Sequence, residues 1–322
     1  MTARILLLVT SPRLPAGLLT AATWDAVRAY PVYAAAESEQ TDALRSAGVP
    51  VTVIEPDPER VLDPIRSGAA EAVVWLSGPA GDQTFARQLG LRLAREPELA
   101  ELELIHGSWD PPGARLLDAV AVMDRLVSPG GDPWKRVQNH RTLAPYLLEE
   151  SYEAYDAIES DDLEALREEL GDVLLQIVLH ARLAEELPDG AWNIDDVAGG
   201  LVEKMVRRNP HVFAGADVTD LEEITANWER IKKAEKSRDS VLDGVALSQP
   251  ALALAAKILQ RAERAGLRVP LPAGTDLGAT LLRQVAEAHA EGADAEAALR
   301  RAALQFADEV RAAEQENIGP AE

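Results

Sequence analysis

Two acidic stretches flank a short polar segment, and their spacing constrains the fold of this chain more than any other feature. LLEESYEAYDAI carries Glu149, Glu150 and Glu153, and REELGDVLLQIV carries Glu168, Glu169 and Asp172. Residues three and four apart share a helix face, so each stretch, read as helical, gathers its acids on one side. IESDDL predicts the turn between them, with Ser160 or Asp161 capping the second helix and Glu164 in its first turn. Glu153 and Glu169 both stand eight positions from residue 161, and Glu150 and Asp172 both stand 11 from it. An antiparallel pair therefore sets the members of each couple level.

Carboxylates about 4 Å apart in a partly buried setting repel by several kcal/mol. A hard cation relieves that repulsion. Mg²⁺, or Mn²⁺ in its place, prefers oxygen ligands and combines a few carboxylates with water and substrate phosphates. The same spacing also fits a solvated acidic face, common in a chain with 54 acidic against 32 basic residues. Leu170, Val173, Leu174, Ile177 and Val178 surround the second set of acids with core-type residues and favour a site.

The formal charge of −22 argues against binding to nucleic acid or to an anionic membrane surface, both of which attract basic patches. A polyphosphate ligand must therefore be reached through metal ions and a local basic patch. The chain has no cysteine, which excludes disulfides and thiolate metal sites and fits a reducing cytoplasm. MTARILLLVTSPRLPAG has too short an apolar run for a signal peptide, and no stretch approaches the ~20 apolar residues of a membrane span. The expectation is a soluble cytoplasmic protein.

At 322 residues two domains, or one with a large appendage, are expected. RILLLV, YPVYAA, VPVTVI, AEAVVWL and LELIHG read as strands, alternating with helices near 18–29, 38–47, 58–68 and 82–95, the rhythm of a small α/β domain with a mostly parallel sheet. TSPRLPAG after the first strand is not a glycine fingerprint, and SGPAGD after the fourth reads as a turn. SPGGDPW at 128–134 is the clearest linker, and helices are expected at 112–127, 141–158, 162–186, 194–207, 219–237, 249–265, 276–291 and 294–315. The fold class is thus α+β in two parts, an α/β domain over 1–110 followed by helices over 111–240 and a helical C-terminal region over 241–322. EELGDVLLQIV at 168–178 is echoed by TDLGATLLRQV at 275–285, where Asp276 stands for Glu169 and Ala279 for Asp172.

EESYE followed by EELGD resembles the EExxE…ExxD signature of the MazG nucleoside triphosphate pyrophosphohydrolases. DPWKRVQNHRTLAPYLLEE, KMVRRNPHVF and ITANWERIKKAEK resemble further blocks of that family in order, so the likeness covers roughly residues 115–265. The resemblance implies an all-α bundle, usually dimeric or of higher order, that hydrolyses a nucleoside triphosphate between the α and β phosphates with Mg²⁺. It implies Glu150, Glu153, Glu169 and Asp172 as metal ligands and Glu149 or Glu150 as the base for the attacking water. Lys204, Arg207 and Arg208 would hold the phosphates, Trp228 the base or sugar, and Lys232 a phosphate.

Other positions carry less. His180 and His211 are weaker candidates, and Trp134 and Asn139 stand where polar partners occur in the family. Lys135 occupies a position where Asp is frequent, which leaves no role assigned to it. The C-terminal echo resembles a degenerate second MazG region without its acids, and the front domain is reminiscent of a truncated tetrapyrrole methylase domain without that family's glycine motifs. A di-iron bundle fails because the one Glu-x-x-His spacing, Glu103 to His106, falls in an expected strand. The alternative to an enzyme is a helical module that binds metal and nucleotide without turning it over.

Overall fold

The computed structural model describes residues 2–79, 81–215, 220–235 and 239–317. Five strands, β1 (Ala3–Val9), β2 (Val32–Ala34), β3 (Val51–Val53), β4 (Ala72–Leu76) and β5 (Ala100–His106), alternate with α1 (Ala21–Ala29), α2 (Glu39–Ser46), α3 (Pro58–Arg66) and α4 (Gln83–Leu93). All pairings are parallel, in the order β3-β2-β4-β1-β5, so the mostly parallel sheet expected from the sequence is wholly parallel.

Successive side chains of a strand point to opposite faces, and both faces of a parallel sheet are covered. Ile5 and Leu7 of β1 accordingly pack with Val61, Leu62, Phe85 and Leu89 of α3 and α4, whereas Leu6 and Leu8 pack with Val27 and Leu44 of α1 and α2. The SGPAGD loop has a structural occupation: Asp82 accepts the Trp75 indole N–H at 2.8 Å, and Trp75 stacks on Phe85 at 4.0 Å.

The remaining chain is helical: α5 (Arg115–Val127), a 3₁₀ turn at Lys135–Val137, α6 (His140–Glu159), α7 (Leu163–Ala184), α8 (Ile194–Arg208), the single turn α9 (Pro210–Phe213), α10 (Leu221–Ala234), α11 (Ala251–Arg264), α12 (Leu277–Ala290) and α13 (Ala295–Asn317). Positions 219, 236 and 237 of the helix expected over 219–237 lie outside the described residues. Compact packing divides the chain into one unit ending at Leu201 and another starting at Val202.

In the first unit, α5, α6 and α7 close a core of Met123, Val127, Leu143, Val178 and Leu179. The SPGGDPW linker turns back on α5, with the Asp132 N–H donating to Leu126 O at 2.7 Å. A Cβ at Gly131 would lie 2.2 Å from that carbonyl oxygen, so only glycine fits. Arg13, in the loop after β1, grips α5 through a two-pronged contact with Asp118 at 2.8 and 2.6 Å and also pairs with Asp110.

The α6–α7 turn differs from the expected capping. Ser160 ends α6, its N–H still bonded to Asp156 O and its hydroxyl donating to the same carbonyl at 2.9 Å. Asp161 adopts φ 56°, the left-handed conformation, with its N–H on Ile158 O and the Asp162 N–H on Ala157 O, the hydrogen bonds of a Schellman motif. The cap of α7 is Asp162, which accepts from the N–H groups of Glu164 and Ala165 at 3.1 and 3.0 Å. Ser160 and Asp161 cannot cap because both are spent closing the previous helix.

Asp162→Ala removes that cap and is expected to cost about 1 kcal/mol. Leu179→Ala, at a position fully buried in the helical core, is expected to cost about 2–5 kcal/mol. Urea unfolding followed by circular dichroism measures both, and an equal cost for the two would contradict this account of the hairpin.

Candidate metal and nucleotide site

Packing of α6 against α7 brings the two acidic sets together. Glu150, Glu169 and Asp172 each offer a carboxylate oxygen, and the three oxygens lie within 4.8 Å of one another. Glu153 is within hydrogen-bonding reach of both Glu150 and Glu169. Glu149 and Glu168 stay on the exposed rim. The couples level in the hairpin are those set by counting from residue 161, because the turn is tight and both helices are regular.

This concentration of charge has an electrostatic signature. Partial burial, followed by the charges of Asp172, Glu153 and Glu149, pushes the Glu150 carboxyl above the usual carboxylate range. Glu169 is raised in the same way, by burial first and then by Glu153, Asp172 and Glu168. Both groups hold a proton more tightly than an ordinary carboxylate, and positive charge nearby would offset the effect.

The donor set fits a hard cation. Octahedral Mg²⁺ binds oxygen at about 2.1 Å, so opposite ligands stand about 4.2 Å apart. Three oxygens within 4.8 Å approach that span with small side-chain adjustment, and their all-oxygen chemistry matches Mg²⁺ or Mn²⁺ better than softer ions.

The polar row continues along α7 at helical spacing. Gln176, one turn beyond Asp172, is 4% exposed, and His180 follows one turn later. His180 Nδ1 stands 2.8 Å from His140 Nδ1 of α6, the two rings stack, and Trp192 continues the stack on His140. Burial, then the neighbouring His140, holds the His180 pKa below the ordinary histidine value. A neutral pair satisfies this contact, one ring nitrogen donating and the other accepting. Sequence reasoning gave His180 little weight and missed His140 and Gln176. The same count from residue 161 places His140 and His180 at 21 and 19 positions, close to level, and was the available signal.

The expected phosphate and base contacts lie in the second unit. Arg207 donates to Glu235 at 2.8 Å, and Arg208 forks onto both oxygens of the same carboxylate at 2.6 and 3.1 Å. The two guanidiniums hold the Glu235 carboxyl down at about 2. The Arg208 guanidinium also lies 5.3 Å from the centroid of the Trp228 ring. Arg207 and Arg208 thus meet on one glutamate that sequence reasoning did not weigh, and Trp228 joins them through Arg208. Lys204 stands one turn before Arg208 on α8, and Lys232, one turn beyond Trp228, lines a cavity beside α10. His211 lies in α9, Asn139 is the N-cap of α6, and Lys135 pairs with Asp132 at 3.2 Å.

A carboxyl whose proton is held more tightly in the folded chain destabilises the fold above its titration range, and the penalty lifts as pH falls through that range. Glu169→Gln is therefore expected to melt higher than the unsubstituted protein in EDTA at neutral pH, with the gap closing on acidification. Mg²⁺ should raise the melting temperature of the unsubstituted protein more than that of the variant. Differential scanning fluorimetry across pH, with and without Mg²⁺, reads both effects; a variant that melts lower in EDTA would contradict the electrostatic account.

The model of the MazG nucleotide pyrophosphohydrolase domain matches residues 138–213, which span α6, α7, α8 and α9. An uncharacterised 26.1 kDa protein from the blaB 3′ region of Streptomyces cacaoi is 52% identical over 220 residues, 67% of this chain and 90% of that protein. A nucleoside triphosphate pyrophosphohydrolase of Mycobacterium tuberculosis is 46% identical over 67% of this chain, and one of Escherichia coli is 42% identical over 46% of it. The matches span 63% and 57% of those two enzymes. This chain belongs to the MazG nucleotide pyrophosphohydrolase family.

Proposed function

We propose that the chain hydrolyses nucleoside triphosphates to nucleoside monophosphate and pyrophosphate with Mg²⁺, clearing non-standard or surplus nucleotides in the cytoplasm. The observation that carries this reading is the convergence of Glu150, Glu169 and Asp172, with Glu153 beside them, in the segment that matches the family's domain. The names of the M. tuberculosis and E. coli relatives support the same activity.

In this reading Glu150, Glu153, Glu169 and Asp172 hold Mg²⁺, which when bound neutralises phosphate charge and polarises an attacking water. The chain's own residues do the rest. Glu149 or Glu150 takes the proton of that water as it attacks phosphorus, and the elevated proton affinity of Glu150 suits an acceptor. Lys204, Arg207 and Arg208 neutralise phosphate oxygens, Trp228 packs on the base or sugar, and Lys232 contacts a phosphate. Arg207 and Arg208 must share or exchange Glu235 to do so.

Assembly of two or more copies belongs to the same proposal. Leu148, Tyr152 and Leu170 of the acidic hairpin are 58%, 40% and 53% exposed, an apolar surface that association would cover. Among the described residues no helix is long and apolar enough to cross a membrane. The competing reading, a module that binds metal and nucleotide without turnover, draws on Arg207 and Arg208 being already paired with Glu235.

Incubation with an NTP and Mg²⁺, followed by product identification, decides between them. Monophosphate plus pyrophosphate is expected; orthophosphate plus diphosphate, or bound and unchanged nucleotide, would overturn the proposal. Glu153→Ala and Glu169→Ala should each lower kcat/KM on the order of 10²–10³-fold with helical content retained, and Lys204→Ala should raise KM.

A further inference from the structure

The two edges of the front sheet are finished differently. β3 is short, Val51–Val53, and follows Pro50, both ordinary ways to blunt an edge. β5, at the other edge, spans Ala100–His106, is as long as β1 and contains neither proline nor lysine. It presents Leu102 and Leu104, 40% and 57% exposed, on the face shared with Ile5 and Leu7. The Gly107 N–H donates to Val9 O at 2.8 Å, and alternate residues of a ladder turn their N–H and C=O to the same neighbour. Ala100, Leu102, Leu104 and His106 therefore turn theirs outward.

We propose that β5 pairs antiparallel with β5 of a second copy of this chain, about a two-fold axis through Glu103, joining the two sheets into one. AELELIH is complementary to itself in that register. Every outward residue finds a mate, Leu102 with the partner's Leu104 and Ala100 with the partner's His106, and leucine meets leucine on one face. An axis through Leu104 would leave Ala100 unmatched. On the opposite face Glu103 meets the partner's Glu103, a like-charge contact that on its own keeps strands apart. Arg4 offsets it. Its Nη1 lies 3.5 Å from Glu103 Oε2, and the guanidinium is held in place by donating to the Tyr30 hydroxyl at 3.0 Å. Each copy brings its own cation, so the axis closes a row of two arginines and two glutamates without net charge. Two-fold symmetry uses both edges and stops growth there. This contact is separate from the acidic hairpin and independent of the activity proposed above.

Because the chain has no cysteine, single-cysteine variants report the register directly. The proposed axis brings the two Glu103 Cα atoms to about 4.5 Å, within reach of a disulfide, and sets the two Glu101 positions ~13 Å apart along the strands. Oxidised Glu103→Cys should run as a covalent dimer on a non-reducing gel, and Glu101→Cys as a monomer. Equal yields from the two mark random collision and overturn the pairing; so does stronger linkage through Leu104→Cys, or none at all. Leu104→Lys places a blocking charge on the edge and should halve the mass measured by analytical ultracentrifugation, whether or not the hairpin also associates, with the melting temperature reporting that the variant is folded. An unchanged mass overturns the proposal, and if that variant does not fold the cysteine comparison decides alone. Arg4→Ala should lower the paired fraction and Glu103→Gln in the same chain restore it; an unchanged fraction in Arg4→Ala overturns the charge-matched axis.

Discussion

Mutual repulsion among carboxylates, held in check by the packing of two antiparallel helices, is the constraint on which the functional reading of this chain depends. Glu150, Glu169 and Asp172 are kept within 4.8 Å of one another by a core that does not involve them, built from Leu143, Val178 and Leu179. Burial of the latter supplies what the acids cost, since apolar contact stabilises in proportion to area and is indifferent to the charge one turn away. Glu150 and Glu169 therefore hold a proton more tightly than ordinary carboxylates, a cost that a cation bound between them would relieve.

Rigid support for that hairpin comes from its own unit. Arg182 of α7 donates to Asp124 of α5 at 2.7 Å, and Arg13 ties the loop after β1 to α5 through Asp118. The α/β sheet thus reaches the acid-bearing helix through two arginines and one intervening helix. This gives the front domain a mechanical part in the unit whatever other role it has.

The elements and their order were legible in the sequence because periodicity is local. Alternation in RILLLV and the three-and-four spacing in LLEESYEAYDAI and EELGDVLLQIV report which face is buried without any knowledge of the partner. Pairing of the acids was legible too, since one tight turn fixes the register. What escaped depends on choices that several residues could make equally well or on partners far along the chain. Ser160, Asp161 and Asp162 are all capping residues, and only the backbone hydrogen bonds decide that Asp162 holds α7. Glu235 takes Arg207 and Arg208 from 28 and 27 positions away, a separation at which spacing carries no information. In the C-terminal echo, Asp276 has become the N-cap of α12, accepting from Ala279 N at 3.0 Å, so the aligned acid survives as a helix start.

The left-handed Asp161 and the two-residue closure around it have a geometric corollary. Each residue added or removed at this bend would rotate α7 by about 100° about its axis relative to α6, carrying Glu169 and Asp172 off the shared face while leaving every side chain intact. Length at this one bend thus fixes the cluster as firmly as the acids themselves do, and a change there without a compensating shift elsewhere would disperse it.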